Sequence, residues 1–127
     1  MPTRQAERYQ QIVDRFEQVA RAKIAKPATI MELCREVAVT RRTLSRAFRA
    51  IRGTTPYYYL QQLRLSEVRQ ALSSGSDAAK VTEVAKRFGF RELGRFSARY
   101  TEAFGERPSE TKRRTRTLRG TSDHGTG

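Results

Sequence analysis

The chain has 127 residues, a length that suits one compact domain or two very small ones, and it carries 26 lysine and arginine residues against 13 acidic ones. The formal charge of +13 favours an anionic partner, either nucleic acid or an anionic membrane. One cysteine and one histidine exclude an internal disulfide and a His/Cys zinc cluster. The sequence shows neither a membrane-spanning apolar run nor the apolar core of a secretory signal, so we expect a cytoplasmic protein.

Apolar residues recur with helical spacing along nearly the whole chain, and no stretch shows the clean alternation of a strand. The pattern predicts an all-α fold of seven helices, at about 4–25, 30–37, 41–51, 56–73, 80–89, 92–104 and 108–114. Thr29 and Glu32 have the spacing of a capping box, and Gly53 suits a helix C-terminus. Residues 115–127 have no periodicity and are predicted to form a disordered basic tail.

A pattern of short helix, tight turn and second helix occurs twice, at 29–51 and at 80–104. The apolar anchors Leu44 and Phe48 of the first copy correspond to Phe96 and Tyr100 of the second. The sequence therefore predicts two helix-turn-helix subdomains joined by the long linker helix 56–73. A helix of about 18 residues spans ~27 Å, which suits two recognition helices in successive major grooves ~34 Å apart.

The segment VTRRTLSRAFR, at 39–49, predicts a helix with two different faces. At about 100° per residue, its polar and apolar residues occupy opposite halves of the helix. The polar half holds Arg41, Arg42, Ser45, Arg46 and Arg49. A solvated face usually mixes charges of both signs, but no acidic residue occurs between Glu36 and Glu67. A membrane helix would expose its apolar half, which here is needed for the core, so the pattern favours nucleic acid.

A helix-turn-helix places its second helix in the major groove, with the early residues at the base edges. We therefore predict that Arg42, Ser45 and Arg46 contact bases. Arg41 and Arg49 lie at the margins of the polar half, where contact with phosphate is expected.

The second recognition helix offers fewer groups that can read bases. Its outward positions, with one residue of the preceding turn, are Arg91, Gly94, Arg95, Ser97, Ala98 and Arg99. Gly94 and Ala98 stand where the first helix has Arg42 and Arg46, and they have little side chain for hydrogen bonding. We therefore expect asymmetric recognition, in which the first helix carries most of the sequence information and the second contributes affinity and shape readout.

Two segments, TRRTLSRAFRAIRGTTPYYYLQQLRL and VTEVAKRFGFRELGRFSARYTEAFGERPSET, resemble the C-terminal DNA-binding domain of the AraC/XylS family of transcription regulators. The more specific second segment carries the family signature at Gly89, Phe90, Phe96, Tyr100, Phe104, Gly105 and Pro108. The resemblance covers about 9–114 and implies bacterial transcription regulators that bind double-stranded promoter DNA and contact RNA polymerase. The resemblance implies groove contacts by Arg42, Ser45 and Arg46 on the first recognition helix. On the second it implies contacts by Gly94, Arg95, Ser97 and Ala98. Many members have arginine where Ala98 stands.

Full-length members of one subgroup carry an effector or dimerisation domain ahead of this one. We expect the chain to be the C-terminal domain of such a regulator rather than a stand-alone one, with any dimerisation through a domain absent from this chain. A non-specific architectural nucleic-acid-binding protein and a protein-interaction adaptor of the transcription machinery are the alternatives. The dispersed acids and the single histidine, in the tail, predict no catalytic residues, metal or cofactor.

Overall fold

All regular secondary structure in the described part of the chain is helical. The computed structural model describes residues 3–25, 28–74 and 80–114, so the predicted tail at 115–127 lies outside the described residues. The helices are α1 (Arg4–Ala22), α2 (Ile30–Val37), α3 (Arg41–Arg52), α4 (Pro56–Ser73), α5 (Val81–Arg87), α6 (Leu93–Phe104) and α7 (108–114). The prediction of seven helices and an all-α fold is confirmed.

Residue contacts divide the chain into two compact units, an N-terminal unit of residues 1–63 and a C-terminal unit of residues 64–127. Helix α4 contributes its first residues to one unit and its last residues to the other. Helix α1 ends three residues earlier than predicted, because Lys23 leaves the helical conformation at φ −105° and ψ 15°.

The core of the N-terminal unit is built around three aromatic rings. The ring of Phe16 on α1 lies edge-on to Phe48 on α3, with centroids 5.1 Å apart. Tyr59 on α4 completes the group, 5.5 Å from Phe48 and 6.4 Å from Phe16. Leu33 and Leu44 are also buried beside this group. Because aromatic rings bury large apolar areas, these contacts determine which face of α3 is turned toward the core.

Three threonines cap helices α1, α2 and α3 of the N-terminal unit. The hydroxyl oxygens of Thr3, Thr29 and Thr40 each accept a hydrogen bond from a backbone N–H three residues later. At Thr29 the Glu32 carboxylate also accepts from the Thr29 N–H, so the predicted capping box is present. Gly53 ends α3 at φ 68°, which agrees with its predicted role.

A ladder of aromatic rings forms the core of the C-terminal unit. Phe90, Phe96, Tyr100 and Phe104 follow one another with centroid separations of 4.9, 5.8 and 4.7 Å. The guanidinium of Arg69 lies 4.8 Å above the ring of Phe104, a cation–π contact. The α6 residues that the periodicity predicts as anchors, Phe96 and Tyr100, are almost completely buried.

A polar network that the sequence did not predict links α6 to α7. The buried Tyr100 hydroxyl donates to Thr111 Oγ1 at 2.8 Å, and Thr111 Oγ1 donates to Glu106 Oε1 at 2.7 Å. The Arg114 guanidinium donates to both oxygens of the same carboxylate, at 2.7 and 2.8 Å. Burial raises the pKa of Tyr100, so its hydroxyl keeps its proton and remains a donor.

Candidate nucleic-acid interface

Helix α3 presents a rigidly positioned basic face. The threonine cap at Thr40 sets its first turn, where the Thr40 hydroxyl accepts from the Thr43 N–H at 3.1 Å. Leu44, Ala47 and Phe48 are fully buried and hold one side of the helix against the core. The opposite side is exposed at every position predicted to contact DNA on this helix: Arg41, Arg42, Ser45, Arg46 and Arg49. The two-faced helix predicted from the sequence is therefore present.

The four arginines of this face have no internal partner among the residues that the structure describes: no carboxylate pairs with them and no hydrogen bond holds them. The next arginine along the helix differs. Arg52 donates from Nε to Glu17 Oε1 at 2.9 Å, and its terminal nitrogen lies 2.8 Å from the same oxygen. Arg52 thus joins α3 to α1, whereas the other four side chains are available to an external anion.

The charge of Arg41 also reaches Cys34, which is buried on α2. Burial raises the pKa of this thiol, and Arg41 offsets part of the increase. The thiol therefore stays protonated near neutral pH and is a poor nucleophile.

The exposed face of helix α6 has fewer long side chains than that of α3. Gly94, Arg95, Ser97 and Ala98 are exposed, and a Cβ atom at Gly94 would meet no atom within 4 Å. Arg95 Nε pairs with Glu92 Oε2 at 2.9 Å, with both side chains more than two-thirds exposed. An ion pair as exposed as this one contributes little to stability, so the guanidinium can exchange Glu92 for a phosphate at small cost.

The two remaining predicted residues of this region occupy different environments. Arg91 is exposed in the turn before α6, as the sequence predicts. Arg99 is half-buried, so it lies at the margin of the outward face rather than on it. Helix α6 therefore carries one exposed arginine, Arg95, whereas α3 carries five, the four of its basic face and Arg52.

A cleft of about 480 Å³ lies beside the outward face of α6. Its walls are formed by Val81, Ser97, Ala98, Thr101, Arg107, Pro108 and Ser109. Arg107 and Ser109 are not among the predicted site residues, because they follow the last helix-turn-helix element. Their only sequence signal is a basic residue directly before the predicted start of α7.

Two alternative kinds of site find no support in the described part of the chain. No helix there is long and apolar enough to cross a membrane. Nor do residues 3–25, 28–74 and 80–114 contain a group of three metal-ligating side chains.

A family model described as a helix-turn-helix domain matches residues 33–114, more than half of the chain. The crystal structure of a probable AraC family transcriptional regulator from Rhodopseudomonas palustris superposes with a TM-score of 0.76 at 33% identity, covering 83% of this chain and 97% of that one. The chain belongs to the AraC/XylS family. The predicted family and the prediction that the chain is not an enzyme are both confirmed, since this family consists of transcriptional regulators.

Longer relatives in this family share the same region. A probable thc operon regulatory protein from Rhodococcus erythropolis is 38% identical over 93 residues, which cover 72% of this chain and 28% of the relative. A XylDLEGF operon transcriptional activator from Pseudomonas putida is 33% identical over 101 residues, which cover 79% of this chain and 32% of the relative. The chain thus spans less than a third of the length of these two relatives.

Proposed function

We propose that this protein regulates transcription by binding double-stranded promoter DNA in a sequence-specific manner, with α3 in the major groove. The observation that carries the proposal is the exposed face of α3, where four arginines without internal partners project from a helix held by buried anchors. A helix of 10–12 Å diameter fits the major groove, which is about 12 Å wide.

Within this interface we assign base contacts to Arg42, Ser45 and Arg46. Arginine can donate two hydrogen bonds to the O6 and N7 atoms of guanine, which makes it the commonest residue for specific base contact. Arg41 and Arg49 flank these residues and are assigned to the phosphates of the groove walls.

Helix α6 enters a second major groove in this proposal. Arg91, Arg95 and Arg99 contact the backbone, while Gly94 and Ala98 form the surface that faces the bases and Ser97 lies at its edge. The small side chains allow close approach of the duplex, so this helix responds to DNA shape more than to base identity.

We further propose RNA polymerase as a second partner, because one relative is named a transcriptional activator. Dimerisation is assigned to the part of the longer relatives that this chain does not span. A cytoplasmic location follows from the proposed promoter partner in a bacterial cell.

The base and phosphate roles can be separated by two variants of α3. A preferred duplex is first selected from a random pool, and its Kd is measured against all single-base changes by fluorescence anisotropy. Arg46→Ala should abolish discrimination at one base position, a loss of about 1–3 kcal/mol on the preferred base. Arg49→Ala should weaken binding to every duplex alike and reduce the slope of log K against log salt by about 1. If both variants behave alike, the assignment of separate roles is wrong.

Two alternative functions give different outcomes in the same titrations. A non-specific architectural protein would bind the selected duplex and bulk DNA equally, whereas the proposal requires a ratio of about 10³ or more. A protein-interaction adaptor would bind its partner with little dependence on salt, whereas phosphate contacts impose a steep dependence.

A further inference from the structure

The cleft beside α6 is continuous with the outward face of that helix. Ser97 and Ala98, two of the residues assigned above to the groove surface, form part of its wall, and Thr101 lies one turn further along. Other wall residues are Arg107, which directly precedes α7, and Ser109, which lies in its first turn. A molecule lying against the exposed face of α6 therefore also covers this cleft.

The charge of the cleft is positive. Among the residues that the structure describes, Arg107 is the charged residue of its walls, and it is exposed. In the sequence Arg107 stands near two acids, but Thr111 and Arg114 engage the Glu106 carboxylate, and the Glu110 carboxylate accepts from the Arg107 backbone N–H at 3.4 Å. Within the part of the chain that the structure describes, no carboxylate pairs with the Arg107 guanidinium.

In the proposed complex, the geometry of the major groove would bring a phosphate strand to this position. A recognition helix nearly fills the major groove, so the two backbone strands run along its flanks. If α6 faces the bases through Gly94 and Ala98, one DNA backbone strand lies over the side of the helix that carries Ser97 and Thr101. These two residues line the same cleft as Arg107. The small side chains of these walls permit close approach of a DNA strand. The arginine supplies a positive charge that attracts a phosphodiester.

We propose that this cleft seats one phosphodiester strand of the bound duplex, with the Arg107 guanidinium and the Ser109 hydroxyl donating to phosphate oxygens. The inference rests on the function proposed above and extends the interface to residues beyond the second helix-turn-helix. In this proposal Arg107 contributes to affinity and to the position of the protein along the duplex, but it does not discriminate between bases.

The test uses the full chain and a mixed-sequence duplex of about 30 base pairs, with Kd measured by fluorescence anisotropy across a sodium chloride series. Arg107→Ala should weaken binding about three- to tenfold at low salt and reduce the slope of log K against log salt by about 1. Arg107→Lys keeps the charge and should retain most of the affinity and slope. Arg8→Ala removes an equal charge from the exposed, mixed-charge face of α1 and should change Kd less than about twofold.

Other outcomes separate this inference from the proposed function. If Arg107→Ala binds like the wild type while Arg46→Ala binds the selected duplex more weakly, the cleft does not hold DNA and the proposed function stands. If the wild-type chain binds no duplex, both fail. If inorganic phosphate at constant ionic strength displaces the duplex from the wild type but not from Arg107→Ala, phosphate and the duplex compete for the cleft, which supports the inference.

Discussion

Ala38 shows how one residue can carry conformational strain in the turn of a helix-turn-helix. Among the described residues it is the one non-glycine with a positive φ, at 61°. The corresponding turn of the second copy has Gly89, at φ 97°. A left-handed conformation costs an L-residue about 1–2 kcal/mol, because its Cβ crowds the backbone, whereas glycine has no such penalty.

Ala38→Gly should therefore stabilise the N-terminal unit. Part of the gain is offset by the larger conformational freedom of glycine in the unfolded chain, so we expect about 0.5–1 kcal/mol in the free energy of urea unfolding. Ala50→Gly is the matched control, since Ala50 is exposed within α3, and it should destabilise by about 0.5–1 kcal/mol. A loss of stability in Ala38→Gly would show that the strain is absent.

The Glu106 carboxylate makes the stability of the C-terminal unit depend on acid pH. Its hydrogen bond from Thr111, followed by the charge of Arg114 and the hydrogen bond from it, lowers its pKa below the ordinary value of 4.5. Because the folded pKa is the lower one, the ionised carboxylate stabilises the fold above about pH 4.5, and this contribution is lost as pH falls through the folded pKa.

Glu106→Gln should therefore flatten the acid side of the stability curve. The melting temperature of the wild type should fall more steeply than that of the variant below about pH 4.5, and the two curves should differ most near neutral pH. Glu102→Gln removes an exposed carboxylate of α6 outside this network and should follow the wild-type curve. Parallel curves for the wild type and Glu106→Gln would mean that the hydrogen-bond network does not stabilise the ionised Glu106 carboxylate.

At the scale of the elements, helical periodicity predicts which face is buried, because a helix repeats every 3.6 residues whatever it packs against. Leu44, Phe48, Phe96 and Tyr100 are buried as their spacing predicts. Helix α4 is harder to predict, because one apolar stripe is not enough for a helix that packs in two units. Leu63 and Leu65 are both buried although they are only two residues apart and point to different sides of the helix.

Contacts between side chains far apart on the helices were beyond prediction for a different reason. The buried Thr111 and the pair of Glu17 with Arg52 depend on rotamers and on how the tertiary fold places two polar groups together. Neither dependence leaves a periodic signal in the sequence. The exposed basic face of α3 was predictable, because a cluster of arginines opposite apolar anchors is itself a periodic pattern.

Capping distinguishes the helices of the two units. Each of α1, α2 and α3 is preceded by a threonine whose hydroxyl accepts a hydrogen bond from a backbone N–H. The N-cap residues of α5 and α6 are Lys80 and Glu92, and neither side chain caps its helix. Lys80 also places a positive charge at the positive end of the helix dipole.

Lys80→Ser should stabilise the C-terminal unit by about 1 kcal/mol, because it supplies a cap in a backbone conformation that already suits one and removes the unfavourable charge. Thr40→Ala, which removes the existing cap of α3, should destabilise the N-terminal unit by about the same amount. Both are measured as changes in the free energy of urea unfolding. An unchanged value for Lys80→Ser would indicate that the first N–H groups of α5 are already satisfied in solution.

At the scale of the whole molecule, one motif occurs twice with different surfaces. Each copy has its own aromatic core, so the two recognition helices are positioned by comparable packing. Their outward faces differ in chemistry: α3 offers guanidinium groups without internal partners, whereas α6 offers small side chains and an arginine paired with Glu92. Similar scaffolds with unequal donors imply that the two halves of a DNA site are recognised by different means.

This asymmetry predicts unequal effects of base changes in the two half-sites. Substitutions in the half-site bound by α3 should cost about 1–3 kcal/mol each, because they leave the donors of Arg42 or Arg46 without acceptors. Changes in the other half-site should cost less and should follow local DNA flexibility, since α6 has few donors that discriminate bases. Competition titrations with single-base variants of the selected duplex measure both sets. Arg46→Ala assigns its half-site by removing discrimination there, and Arg95→Ala should lower affinity without changing the ranking of the variants. Equal losses in the two half-sites would show that Gly94 and Ala98 do not weaken base recognition by α6.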